Sequence, residues 1–174
     1  MNYAVIKKYD IANGTGIRVS LFVSGCTHNC KGCFNEEAQS FDYGDEFIDA
    51  VQNDIITSLK SPYISGLTLL GGEPFEIANQ RALVPFMRKV KREVPQKTIW
   101  AYTGYNYNTD FAPGGRAYCD VTDEMLSMID VLVDGEFVEE LYDISLRFRG
   151  SSNQRIINVP ESIKSGQVIL WDKQ

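Results

Sequence analysis

The sequence has 174 residues, 44% hydrophobic and 23% charged, a size and composition that suit one globular domain with a full core. Its net charge of −6 argues against a nucleic-acid binder, and the clusters Lys7-Lys8 and Arg88-Lys89 with Lys91-Arg92 read as solvated faces. No stretch approaches the roughly 18 apolar residues of a membrane span. The first eight residues also lack the charged-then-apolar order of a secretory signal. The expected setting is the cytoplasm, where thiols stay reduced.

In chain order, Ile17 to Ser24 is nearly continuous in apolar residues and stops at Gly25, which predicts a buried strand. A cysteine-rich loop follows at once. Phe47, Val51, Ile55 and Leu59 recur every fourth residue, with Ile48 beside them, so Asp45 to Lys60 is expected to be a helix. Gly66 to Leu70 predicts a second strand, ended by Gly71-Gly72-Glu73-Pro74. Leu83, Val84, Met87, Val90 and Val94 mark a second helix, closed by Pro95. Thr98 to Tyr102 reads as a third strand, and Thr122 as the cap of a short helix carrying Met125, Leu126 and Ile129. Val131 to Val133 is a fourth strand before Asp134-Gly135. Arg155 to Val159 and Gln167 to Trp171, separated by Pro160, are the last two strand candidates. Pro113 to Cys119 reads as a loop.

Strands alternating with helices predict an α/β fold, a single domain over residues 1–174 with a mainly parallel sheet. Eight βα units typically need about 250 residues, so an incomplete, open (β/α) barrel is expected. In such folds ligands gather beyond the carboxyl ends of the strands, where the cysteine loop and the glycine pair both fall.

Of four cysteines, three lie within eight residues as Cys26-Thr27-His28-Asn29-Cys30-Lys31-Gly32-Cys33, which suits a metal site better than a disulfide framework. Three thiolates at C-x₃-C-x₂-C spacing can face one iron–sulfur cluster. A four-iron cube with three protein ligands keeps one iron open to a substrate. The other reading of the loop is structural zinc held by Cys26, His28, Cys30 and Cys33. Against it, His28 is only two residues from both Cys26 and Cys30, and no second ligand pair follows. Cys119 stands alone. Gly71 and Gly72, just after a strand, let a ligand approach the main chain, and Glu73 adds a carboxylate. A plain βα turn is the alternative for that segment, as an ordinary turn is for Asp134-Gly135.

The three-cysteine loop after one strand and Gly-Gly-Glu-Pro after the next together resemble the radical S-adenosylmethionine (SAM) superfamily. There the residue before the third cysteine is often aromatic; here it is Gly32, and the aromatic residue is Phe34. Asn13 to Arg18, Leu21 to Asn35, Ile99 to Tyr105, Val131 to Phe137 and Arg149 to Arg155 are similar to segments of one family within it, the activating proteins of anaerobic ribonucleoside-triphosphate reductase. Pro113 to Cys119 looks like an insertion in that pattern. The resemblance implies a 4Fe–4S cluster on Cys26, Cys30 and Cys33, with SAM on its open iron. It also implies SAM contacts from Gly32, Cys33 and Phe34 and from Gly71, Gly72 and Glu73, with help from Asp134. The reaction it implies is hydrogen abstraction from a glycine of the large reductase subunit, with reduced flavodoxin or a similar protein as electron donor. An activase of a different glycyl-radical enzyme, a small-molecule radical SAM enzyme, and a non-catalytic zinc protein are the rival readings.

Overall fold

The computed structural model describes residues 1–172. Its strands are β1 (Asn2–Asp10), β2 (Ile17–Val23), β3 (Asp45–Glu46), β4 (Ile64–Gly71), β5 (Thr98–Tyr102), β6 (Val131–Asp134) and β7 (Arg155–Asn158). The helices are α1 (Asp49–Leu59), α2 (Ile77–Glu93), α3 (Thr122–Ser127) and α4 (Val159–Ser165). All the strands join one mixed sheet in the order β3-β1-β2-β4-β5-β6-β7.

The expectation of a mainly parallel sheet needs correction. The central strands β2, β4, β5 and β6 run parallel, but β1, β3 and β7 each run antiparallel to their neighbours. The sequence reading assigned no element to residues 2–10. Its apolar signal is weak: Tyr3 and Ile6 pack only part-buried against the core, Val5, Lys7, Lys8 and Tyr9 are exposed, and hydrogen bonds to β2 and β3 help hold it in place.

Alternation along the parallel strands separates two faces. Val19, Leu21, Val23, Leu67, Leu69, Ile99, Ala101 and Leu132 are all fully buried and share one face. They meet Ile55 and Leu59 of α1, Leu83, Met87 and Val90 of α2 and Met125 of α3 in the principal hydrophobic core. The opposite face carries Arg18, Ser20, Thr68, Trp100 and Tyr102 and lies outside that core. Arg18 is 0% exposed there. Its guanidinium donates to Thr68 Oγ1 (2.7 Å), Leu67 O (2.7 Å), Thr98 O (3.0 Å), Thr98 Oγ1 (3.1 Å) and Thr15 O (3.3 Å). Burial lowers its pKa to about 10, so it remains charged at neutral pH, with neutral partners meeting its hydrogen bonds.

Three local expectations also change. Helix α1 starts at Asp49 rather than Asp45, because Asp45 and Glu46 pair with β1 and the Phe47 amide donates to Met1 O (3.0 Å). Thr122 is the first residue inside α3 rather than its cap; its hydroxyl donates to Gln80 Oε1 (2.8 Å) and accepts from the Cys119 amide (2.8 Å). Near the C-terminus the expected strand Arg155 to Val159 forms as β7, one residue shorter, and a helix that was not expected follows it. Asn158 caps α4 by accepting from the Glu161 amide (3.2 Å), Pro160 sits in the first turn, and Gly166 ends it at φ 71°. Of Gln167 to Trp171, only Leu170 forms a bridge, to Ile157.

Candidate functional site

The cysteine loop leaves β2 at the carboxyl edge of the parallel strands and folds back onto its own stem. The Gly25 amide donates to Ala38 O (2.8 Å) and the Cys26 amide to Gln39 O (3.0 Å). The stem is stitched to the glycine turn after β4: Gly72 N donates to Val23 O (2.7 Å) and Glu73 N to Gly25 O (2.8 Å). A Cβ at Gly72 would lie 2.7 Å from both Ala38 O and Gly25 O. The glycine pair therefore does more than clear space for a ligand: it lets the cysteine loop lie directly on the strand end.

Side chains complete the clamp. Thr27 donates to Glu76 Oε1 from both its amide (2.8 Å) and its hydroxyl (2.6 Å). Asn35 Nδ2 reaches Gly71 O (3.3 Å). Asn79, on the buried face of α2, donates from Nδ2 to Ser24 O (3.0 Å) and Glu73 O (2.9 Å). His28 lies between Glu73 Oε2 (3.0 Å from Nε2) and Glu136 Oε1 (2.9 Å from Nδ1), edge-on to Tyr105 with ring centroids 4.4 Å apart. Both ring nitrogens are engaged by carboxylates, an arrangement that disfavours the Cys₃His zinc reading. A Cβ at Gly104 would meet the His28 ring at 2.7 Å, so a glycine after β5 admits it. Burial pulls the His28 pKa down, but the two carboxylates outweigh it and hold the value above ordinary.

Cys26, Cys30 and Cys33 line a single cleft of about 440 Å³ together with Phe34, Gly71 and Gly72. Phe34 stands 68% exposed at this cleft, against Phe137 with centroids 5.0 Å apart. Gly32, at φ 71°, faces Glu139 and is not part of the lining. Glu73 lines the cleft but is only 1% exposed, and its carboxylate is committed to the amides of Phe75 and Gly104 (2.8 Å each) and to His28. Asp134 is likewise pinned. Arg155 grips it through Nε (2.9 Å) and Nη2, and the Tyr107 amide donates to it (2.8 Å). Cys119 lies apart from the cleft, with its sulfur 3.6 Å from Gln80 Oε1. Among the described residues, no group of three or more His, Cys, Asp or Glu is drawn together as a ready-made metal site.

The donor set fits an iron–sulfur cluster. Burial pushes the Cys26 thiol up to about 12, with Glu73 and Glu76 adding to the rise, and burial raises Cys30 as well. Such sulfurs ionise when a cation takes the proton's place, as metal ligation does. Three soft donors face a cleft whose floor at Gly71 and Gly72 is bare main chain.

Some site residues escaped the sequence reading. Asn79 has a faint signal, a polar residue in register with Leu83 and Phe86 on the buried stripe of α2. Glu136 has none, because its partner His28 is 108 positions away. The Arg149 to Arg155 segment was noted, but its arrival at the cleft was not: Arg149, Gly150 and Gln154 all line it.

The family model described as a 4Fe-4S single cluster domain matches residues 12–157. The anaerobic ribonucleoside-triphosphate reductase-activating protein of Haemophilus influenzae is 47% identical over 158 residues, covering 90% of this chain and 97% of that one. The proteins of the same name from Vibrio cholerae and Enterobacteria phage T4 are 41% and 37% identical, each over 90% of this chain and over 97% and 93% of their own lengths.

Proposed function

We propose, from the premise that this chain belongs to the family of anaerobic ribonucleoside-triphosphate reductase-activating proteins, that it is a radical SAM activase. Its target would be a glycine of the large reductase subunit. When bound and reduced, a 4Fe–4S cluster supplies the electron that splits SAM into methionine and a 5′-deoxyadenosyl radical, which takes the glycine hydrogen and leaves a glycyl radical. The chain, residues 1–174, acts as one domain in this reading, and its sheet as an open (β/α) barrel of the radical SAM type.

The residues divide the work. Cys26, Cys30 and Cys33 would hold the cluster and would leave one iron open to SAM. Main-chain groups at Gly71 and Gly72, and the Cys33-Phe34 stretch, receive SAM; Gly32 gives the loop the turn it needs at φ 71°. Glu73 serves this site by bracing, since its oxygens hold His28 and the Gly104 amide. Reduced flavodoxin or a similar low-potential protein delivers the electron, in the cytoplasm and without nucleic acid or membrane. The observation that carries the reading is three thiols and a bare glycine turn on one cleft, in a chain whose relatives are named for activating this reductase.

The test is anaerobic reconstitution with iron and sulfide, then incubation with SAM, a strong reductant and the reductase. 5′-Deoxyadenosine and a glycyl radical signal in the reductase are expected, and Cys30→Ala should abolish both. A colourless protein with one zinc and no product would sink the proposal. A radical arising in a different glycyl-radical enzyme would reassign the target.

A further inference from the structure

The Arg149 to Arg155 segment is far from the cysteines in sequence, yet its side chains hold the stretch of chain that lies against them. Gln154 Nε2 donates to Gly135 O (2.9 Å) and Asn153 Nδ2 to Glu136 O (2.9 Å), while Ser151 Oγ accepts from the Val138 amide (3.2 Å). The Ser152 amide donates to Leu141 O (3.0 Å), and Tyr142 forms a bridge with Ser151. Residues 135–142 are thus tied along their length.

On its other side the same stretch runs along the cysteine loop. Glu136 Oε1 is 2.9 Å from His28 Nδ1, Glu139 Oε2 is 2.9 Å from Lys31 Nζ, and the Phe137 ring lies against Phe34 with centroids 5.0 Å apart. A Cβ at Gly32 would come 3.1 Å from Glu139 Oε1. Cys30 sits in the middle of these contacts. Burial, and after it the Glu136 charge, raises the pKa of its thiol; a hydrogen bond from the Phe137 amide to the sulfur opposes them. Cys33 also accepts from an amide, that of Asn35 (3.4 Å), but that donor belongs to its own loop. The donor to Cys30 comes from beyond β6 and needs something to keep it there.

Amides aimed at ligand sulfurs help set the potential of an iron–sulfur cluster, because reduction adds negative charge that the N–H dipole stabilises. We propose that Ser151, Asn153 and Gln154 are positioning residues for the cluster: they hold residues 135–138 so that the Phe137 amide stays on the Cys30 sulfur and raises the potential of the bound cluster. The proposal rests on the reading above only in taking Cys30 as a cluster ligand.

Two measurements test it, and neither needs SAM or the reductase. The first is hydrogen exchange by mass spectrometry on the cluster-free protein, comparing the parent with Ser151→Ala/Asn153→Ala, two positions that do not line the cleft. Exchange should become roughly fivefold faster both in residues 135–142 and in the cysteine loop, with α1 and α2 unchanged. Faster exchange confined to residues 135–142 would give the ties a purely local role and overturn the proposal. So would unchanged exchange, or an even acceleration across the whole chain. The second is the midpoint potential of the reconstituted cluster when phenyllactic acid replaces Phe137, which turns its amide into an ester and keeps the ring. The potential should become about 59 mV more negative, a tenfold shift in the one-electron equilibrium. An unchanged or more positive potential would overturn the assignment of the Phe137 amide. A parent that binds no iron would remove the activase reading, and exchange would still decide whether the ties position the loop.

Discussion

Replacing Gly72 by alanine tests whether the cysteine loop is held by close packing on the β4 turn. The added Cβ would stand 2.7 Å from Ala38 O and from Gly25 O, about 0.7 Å inside an ordinary contact. Neither neighbour can swing away, since both are backbone atoms of the loop stem. Gly25 O also accepts from the Glu73 amide, and Ala38 O from the Gly25 amide. Relief therefore moves the stem, and Cys26 with it. Overpacking of this kind costs about 1–3 kcal/mol. At roughly 2–4 °C per kcal/mol for a chain of this size, the melting temperature should fall by about 2–12 °C. A displacement approaching 1 Å at a ligand-bearing loop can lower turnover by about a hundredfold. Thermal melts by circular dichroism and the rate of 5′-deoxyadenosine formation measure the two effects. Parent-like melting together with a parent-like rate would refute the packing argument. A large loss of stability with an unchanged rate would place the strain away from the cysteines.

Cys119→Ser should leave the iron and sulfide content of the reconstituted protein unchanged, because that sulfur packs against Gln80 and Thr122 and not in the cleft; a lost iron would make it a ligand. Asp110→Asn should lower stability near neutral pH, and the difference from the parent should disappear in acid. Arg116 holds the Asp110 carboxyl below its ordinary value, with the Asn106 amide adding to the effect and burial opposing it. The stabilisation is therefore present above the unfolded value of about 3.9 and is lost as pH falls through the lower folded value. Melts between about pH 2 and pH 6 should show a smaller acid-side loss in the variant than in the parent, and identical slopes would contradict this assignment.

The four parallel strands were legible because each is a short apolar run bounded by glycine, proline or a turn, and burial on both faces produces that pattern. Strand β1 was not, since a strand with exposed lysines and only part-buried apolar residues owes its place largely to hydrogen bonds with β2 and β3. Helix α4 carried a readable signal that went unused, an Asn cap with Pro in the first turn and Gly at the end. In α1 the apolar periodicity ran on through Phe47 and Ile48, but pairing of Asp45 and Glu46 with β1 took those residues out of the helix.

The sequence by itself determined which chemistry was on offer: three closely spaced thiols and a glycine turn, each on a strand-end loop, because ligand type and spacing are local properties. Only the tertiary structure decided how those loops are held. His28 meets Glu73 and Glu136, Asn79 ties the end of β2 to the glycine turn, and Arg149 and Gln154 return to the cleft from near the other end of the chain. Those partners lie tens of residues apart, and the side-by-side pairing of β2, β4, β5 and β6 is what brings their strand-end loops together.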